Sequence, residues 1–126
     1  MKTVIYTSNA PEPIGPYSQA IIAGNLVFVS GQIAINPSTN QLVLGDIKTE
    51  TKQVMENIKA ILTVAGIDFS HIIKTTIFLM DMQNFAQVNE IYGTYFTSEF
   101  PARETVQVAG LPKGVNVEIS VTAIKS

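Results

Sequence analysis

Pro101-Ala102-Arg103-Glu104-Thr105-Val106-Gln107-Val108 and, past the loop Gly110-Leu111-Pro112-Lys113-Gly114, Val117-Glu118-Ile119-Ser120-Val121-Thr122 are the stretches whose reading decides the fold. From Thr105 the odd positions are polar and the even ones apolar; from Val117 the parity is reversed. Such alternation marks strands with one apolar and one polar face. Arg103 therefore shares a face with Thr105 and Gln107, and Glu118 shares one with Ser120 and Thr122. The intervening loop carries turn chemistry, so the two strands are expected to form a hairpin that brings the Arg103 guanidinium and the Glu118 carboxylate onto one polar surface. A planar fork that grips a carboxylate, beside a potential general base, suits a small acidic substrate. Taken alone, the pair fits a structural ion pair at an interface equally well.

Upstream, Asn9-Ala10-Pro11-Glu12-Pro13-Ile14-Gly15-Pro16 forces a stiff extended loop. Tyr17 to Ile22 and Leu26 to Gln32 read as strands joined through Ala23-Gly24-Asn25. Between Asp46 and Ala65, the residues Ile47, Val54, Ile58, Ile61, Leu62 and Ala65 fall at helical spacing, and Gly66 sits where a C-terminal cap belongs. Ile72 to Met80 is β-branched and short, as in a strand buried on both faces. Phe85, Val88, Tyr92, Tyr95 and Phe96 then predict a second amphipathic helix, with its aromatic stripe in the core. The order ββ, α, β, α, ββ predicts an α+β two-layer sandwich, a mixed sheet with two helices on one face. The polar face bearing Arg103 and Glu118 is then left for other subunits to cover, with sites between subunits.

The 126 residues fit one domain, expected to span 1–126. Hydrophobic residues make up 46% and charged ones only 14%, which predicts a folded chain with apolar surface to bury between subunits. A formal net charge of −2 and scattered Lys and Arg leave no electrostatic footprint for nucleic acid. With no cysteine and one histidine, His71, thiolate chemistry and Cys- or His-rich metal sites are excluded, so no metal is expected. His71 itself reads as a solvated loop residue. Neither a signal peptide nor a membrane span is visible, and a cytoplasmic location is the expectation.

Several separate motifs, in order over nearly the whole chain, carry a resemblance. They are Ile14-Gly15-Pro16-Tyr17-Ser18-Gln19-Ala20, Ser30-Gly31-Gln32, Val88-Asn89 followed by Tyr92, and Pro101-Ala102-Arg103 with Val117-Glu118-Ile119. In these the chain resembles the RidA/YjgF family of enamine/imine deaminases, formerly grouped as translation-inhibitor endoribonuclease-like proteins. The resemblance implies a chorismate-mutase-like fold and a homotrimer with clefts at subunit interfaces. It also implies cofactor-free hydrolysis of 2-aminoacrylate, 2-iminobutanoate or 2-iminopropanoate to 2-keto acids and ammonia, as in a 2-iminobutanoate/2-iminopropanoate deaminase. By the same resemblance Arg103 grips the substrate carboxylate, helped by backbone amides near Gly31 and Thr105. Glu118 orients or activates the attacking water, and Tyr17, Ser30 and Asn89 line the pocket. A 2-imino acid offers one carboxylate for the fork and one electrophilic carbon for water.

Two departures from the family pattern are Glu104, where a small or apolar residue is usual, and Thr105, where many members have cysteine. By parity Glu104 points away from Arg103. Residue by residue, other readings stand beside these. Tyr17 fits a packed aromatic, Ser30-Gly31 a simple bulge and Asn89 a helix-surface residue. At the level of function, the same pocket would also serve a regulator that senses a keto or amino acid without turnover. Such a binder needs Arg103 but has little use for Glu118.

Overall fold

The structure, a computed structural model, describes residues 1–126. In chain order its elements are β1 (Lys2–Ile5), β2 (Ala20–Ala23), β3 (Leu26–Gln32), β4 (Ile35–Asn36), β5 (Gln41–Leu42), α1 (Ile47–Val64), β6 (Ile72–Leu79), α2 (Phe85–Gly93), β7 (Ala102–Gln107) and β8 (Val117–Ile124). Six strands form one mixed sheet in the order β1-β2-β3-β8-β6-β7, and β4 pairs with β5 separately. The expected α+β sandwich is what the chain forms, with both helices on one face of the sheet. No helix is long and apolar enough to cross a membrane.

Local chemistry explains the elements that were legible. Asp46 caps α1 by accepting from the Thr49 amide at 2.8 Å, and Gly66, at φ +81°, ends it while the Ile67 amide bonds back to the Leu62 carbonyl at 3.0 Å. The β2–β3 register pairs Ala23 with Leu26, which leaves a two-residue turn whose first member, Gly24, takes φ +62°. The apolar stripe of α1 (Val54, Ile58, Ile61 and Leu62, each fully buried) packs on Val27, Ile77, Leu79, Val117, Ile119 and Ala123 of the sheet, also fully buried. His71 closes a capping box with Asp68 at the entrance to β6.

Several expectations need correction. The final two strands are not a hairpin: β7 runs parallel to β6, and β8 lies on the other side of β6, antiparallel to it. The connection β6-α2-β7 is a helical crossover, which joins parallel neighbours. The strand whose odd residues are all buried, β8, takes a central place between β3 and β6, while β7, with no buried residue, takes the edge. Next, β6 is buried on one face only: Thr75, Ile77 and Leu79 are fully buried, whereas Ile73 is 45% exposed. Finally, α2 stops at Gly93, so Tyr95 and Phe96 lie beyond it. The strand expected from Tyr17 begins only at Ala20, and the edge strand β1 was not anticipated.

The helix-free face of the sheet carries Val4, Phe28 and Val106, each at least 40% exposed, among Thr76, Ser120 and Thr122. It also carries an ion pair between Lys74 and Glu104 at 3.1 Å.

Candidate active site

Register decides where each candidate side chain points. Residues directly paired across a ladder place their side chains on the same face. Arg103 is paired with Thr75, which is fully buried under the helices, so Arg103 lies on the helix side of the sheet. Glu118 is paired with Phe78, while its neighbour Val117 is fully buried with Leu79 on the helix side. Glu118 therefore lies on the helix-free face. Within one chain the two groups are on opposite faces of the sheet, not on one polar surface as expected. The candidate residues accordingly fall into two groups.

The first group surrounds Glu118. A cavity of about 360 Å³ is lined by Ile14, Tyr17, Ser30, Gly31, Ile33, Pro112 and Glu118. The stiff loop that delivers Tyr17 is held from inside by Gln19, which is 1% exposed and whose side chain bonds the Thr7 amide at 2.7 Å and the Thr7 and Pro11 carbonyls at 3.0 and 2.9 Å. Tyr17 is half-exposed, not packed in the core, and its hydroxyl accepts from the Ile14 amide at 3.2 Å. The Ser30 hydroxyl donates to the Ser18 carbonyl at 2.5 Å. Gly31 lies within a register shift of β3 between Val29 and Gln32, and it is also a place of close approach. A Cβ at Gly31 would lie 2.8 Å from the Glu118 Cδ and closer still to its Oε2, so only glycine leaves room for the carboxylate. The bulge expected there and the close approach of Glu118 occur together. Burial pushes the Glu118 carboxyl above the ordinary glutamate range, and no side chain or backbone group of the chain hydrogen-bonds it.

The second group surrounds Arg103. A cavity of about 300 Å³ is lined by Asn89, Tyr92, Gly93, Phe100, Pro101 and Arg103. Phe85, Asn89 and Tyr92 stand at i, i+4 and i+7 on one stripe of α2. The guanidinium lies 5.7 Å from the Phe85 ring centre and 5.1 Å from that of Tyr92, and the Tyr92 hydroxyl is tied to Thr75 Oγ1 at 3.0 Å. These rings hold Arg103 by cation–π attraction while its N–H groups make no hydrogen bond or salt bridge within the chain. Tyr92 lies in the core as expected, whereas Phe85 is exposed, and the platform the two rings form under Arg103 is not what a core stripe predicts. Their shared stripe with Asn89 was the available signal.

The two departures are resolved by the same register. Glu104 faces away from Arg103 and is spent on Lys74 and on the Thr76 hydroxyl at 2.6 Å, bonds that hold its carboxyl below the ordinary range. The Thr105 hydroxyl is buried without a partner. Its amide is placed differently: the Val108 amide bonds the Leu79 carbonyl at 2.9 Å, so by alternation the Thr105 N–H points outward from the edge strand, on the same edge as Arg103.

A cation with free donors beside an outward amide lies on one face of the sheet, and a desolvated carboxyl in a separate apolar cavity lies on the other. The profile of the Endoribonuclease L-PSP family matches residues 7–125, and the chain belongs to that family, the RidA/YjgF proteins its motifs resemble. It is 56% identical over 125 residues to a RutC family protein of Pyrococcus horikoshii, covering 99% of each chain. It is 49% identical to the 2-iminobutanoate/2-iminopropanoate deaminase of Homo sapiens, covering 99% of this chain and 91% of that one. Among solved structures it is similar to E. coli TdcF with bound serine, with a TM-score of 0.94 and 41% identity, covering 98% of this chain and 99% of the other.

Proposed function

We propose that the protein is a homotrimeric deaminase that hydrolyses 2-imino acids to 2-keto acids and ammonia, in clefts that join the Arg103 half of one subunit to the Glu118 half of the next. The observation that carries this reading is the placement of complementary chemistry on opposite faces of one sheet. Two different patches that must meet make a head-to-tail contact, and a head-to-tail contact that closes makes a ring. The exposed Val4, Phe28 and Val106 give the helix-free face apolar area to bury in such a ring.

In the assembled cleft Arg103 and the Thr105 amide hold the carboxylate. Glu118, ionised, takes a proton from water as the oxygen bonds to the imine carbon, and the C=N electron pair moves to nitrogen. The carboxyl returns that proton to nitrogen to give a carbinolamine, and the carboxylate then passes the hydroxyl proton to the amine as the C–N bond breaks, so the O–H electron pair forms C=O and ammonia leaves. A desolvated carboxyl whose affinity for the proton is raised is suited to both steps. Tyr17, Ser30 and Asn89 line the walls. The iminobutanoate and iminopropanoate named for the human relative are the first substrates to try. The serine bound by TdcF favours the second reading, a sensor of small amino or keto acids using the same carboxylate grip.

An amino-acid dehydratase that releases the imine, with keto acid release followed with and without the protein, tests turnover directly; no acceleration leaves the sensor. Mixing tests the shared cleft. The separately inactive Arg103→Ala and Glu118→Gln chains, unfolded and refolded together in equal amounts, should recover about a quarter of parental activity, because one interface in four draws both intact halves from different subunits. No recovery in mixed trimers would sink the intersubunit cleft. The assembly itself should sediment near three times 13.7 kDa.

Gly31→Ala is expected to preserve the trimer but lower turnover by roughly tenfold or more, since the methyl group must evict the Glu118 carboxylate from its position. Parental turnover in this variant would show that the carboxylate need not sit against residue 31.

A further inference from the structure

The Glu118 carboxylate has no hydrogen bond of its own, so its position depends on the backbone of β8 and on the space at Gly31. The chain enters β8 through Pro112–Gly114, where Lys113 and Gly114 both take positive φ, +57° and +68°. Such a turn does not by itself set the register of the strand that follows, and a slip of one residue would carry Glu118 to the helix side.

What holds the entry is Glu50, in the first turn of α1. It is 1% exposed, and its carboxylate accepts from the Asn116 amide at 2.7 Å and the Val117 amide at 3.2 Å through one oxygen, and from the Asn116 side-chain amide at 2.8 Å through the other. No Lys or Arg pairs with it. On its other side the same segment is tied to β6, the Met80 amide bonding the Asn116 carbonyl at 3.1 Å. A carboxylate desolvated this far is costly, and what it gains here is a grip on two consecutive backbone amides immediately before Glu118.

We infer that Glu50 is a positioning residue: through Asn116 and Val117 it sets the place of the Glu118 carboxylate in the cleft. The inference rests on the proposed role of Glu118. Arg103 sits on β7 against Phe85 and Tyr92 of α2, and none of Glu50's hydrogen bonds reaches β7 or α2, so disturbing the clamp should spoil the proton-handling geometry while leaving the carboxylate grip intact.

Glu50→Met keeps most of the volume but offers no acceptor. Its kcat on 2-iminobutanoate should fall about tenfold or more while KM stays within about threefold, because small misplacements of a reacting group act on the chemical step. Hydrogen exchange at the Val117 amide should accelerate in the same variant. Glu50→Gln should recover most of the rate, since its amide oxygen can accept from both backbone N–H groups with the Asn116 amide turned to face it. If Glu50→Met does not fold, Asn116→Ala at an exposed position removes one of the three bonds and should cost kcat about threefold at unchanged KM. A folded Glu50→Met trimer with kcat within twofold of the parent overturns the inference, as does an Asn116→Ala enzyme with parental kcat where only that variant folds. Glu118→Gln measured alongside separates the two levels. If it is inactive while Glu50→Met is unimpaired, only the positioning role fails; if it turns over at the parental rate, the role of Glu118 fails first.

Discussion

Arg103→Ala should lower kcat/KM for imine hydrolysis by about a thousandfold, roughly 4 kcal/mol, because a bidentate charge-assisted grip on the carboxylate is lost from the transition state. The fold should survive. The Arg103 guanidinium makes no hydrogen bond or salt bridge in its own chain, and what the change removes is its attraction to two rings, worth about 1–2 kcal/mol at a partly buried site. Arg103→Lys should be nearly as poor as Ala: an ammonium is a point charge without the planar fork, and it stacks less well between Phe85 and Tyr92. Keto acid release would be followed in the dehydratase-coupled assay, with circular dichroism and sedimentation on the same preparations. A folded Ala trimer that released keto acid at the parental rate would reduce Arg103 to a structural residue.

Glu118→Gln should reduce turnover by about a hundredfold to ten-thousandfold, the usual worth of a placed general base, while keeping the size of the side chain beside Gly31. Affinity for 2-ketobutyrate should be unchanged or higher, since Arg103 remains and a negative charge near an anion site has gone. Calorimetric titration and the coupled assay together separate enzyme from sensor. A sensor would lose nothing in either. The parental pH profile carries the same information. Burial raises the Glu118 pKa, so the carboxyl stays protonated to a higher pH than an ordinary glutamate and cannot then accept a proton from water. Activity should therefore fall on the acid side at a pH above the usual carboxylate range, and the Gln variant should lack that limb. A parental profile that stayed flat through the region would show that Glu118 handles no proton.

Much of the candidate site was legible because its residues sit in local patterns. The Pro-rich loop before Tyr17, the glycine at 31 and the alternation around Glu118 each occupy a few consecutive positions, and each does what its local chemistry suggests. The platform under Arg103 was harder to see. Phe85 and Tyr92 satisfy the helical period of a core-facing stripe, and the same stripe serves as the bed of a guanidinium only because an edge strand happens to run beside it.

From sequence alone came the two-layer α+β architecture, α1 with its C-terminal cap at Gly66, the extents of β3 and β6 to within a residue, and the two-faced character of β8. These follow from periodicity and capping, which act within a few residues of chain. Only the tertiary structure decided that β6 stands between β7 and β8, and with it that Arg103 and Glu118 face opposite ways. Alternation assigns each strand two faces, but which face of one strand matches which face of another depends on pairing partner and register, and those are set by long-range competition for the centre of the sheet. The fully one-sided β8 won that centre, the polar β7 was left at the edge, and Arg103 and Glu118 were placed on opposite faces, where one chain cannot bring them together.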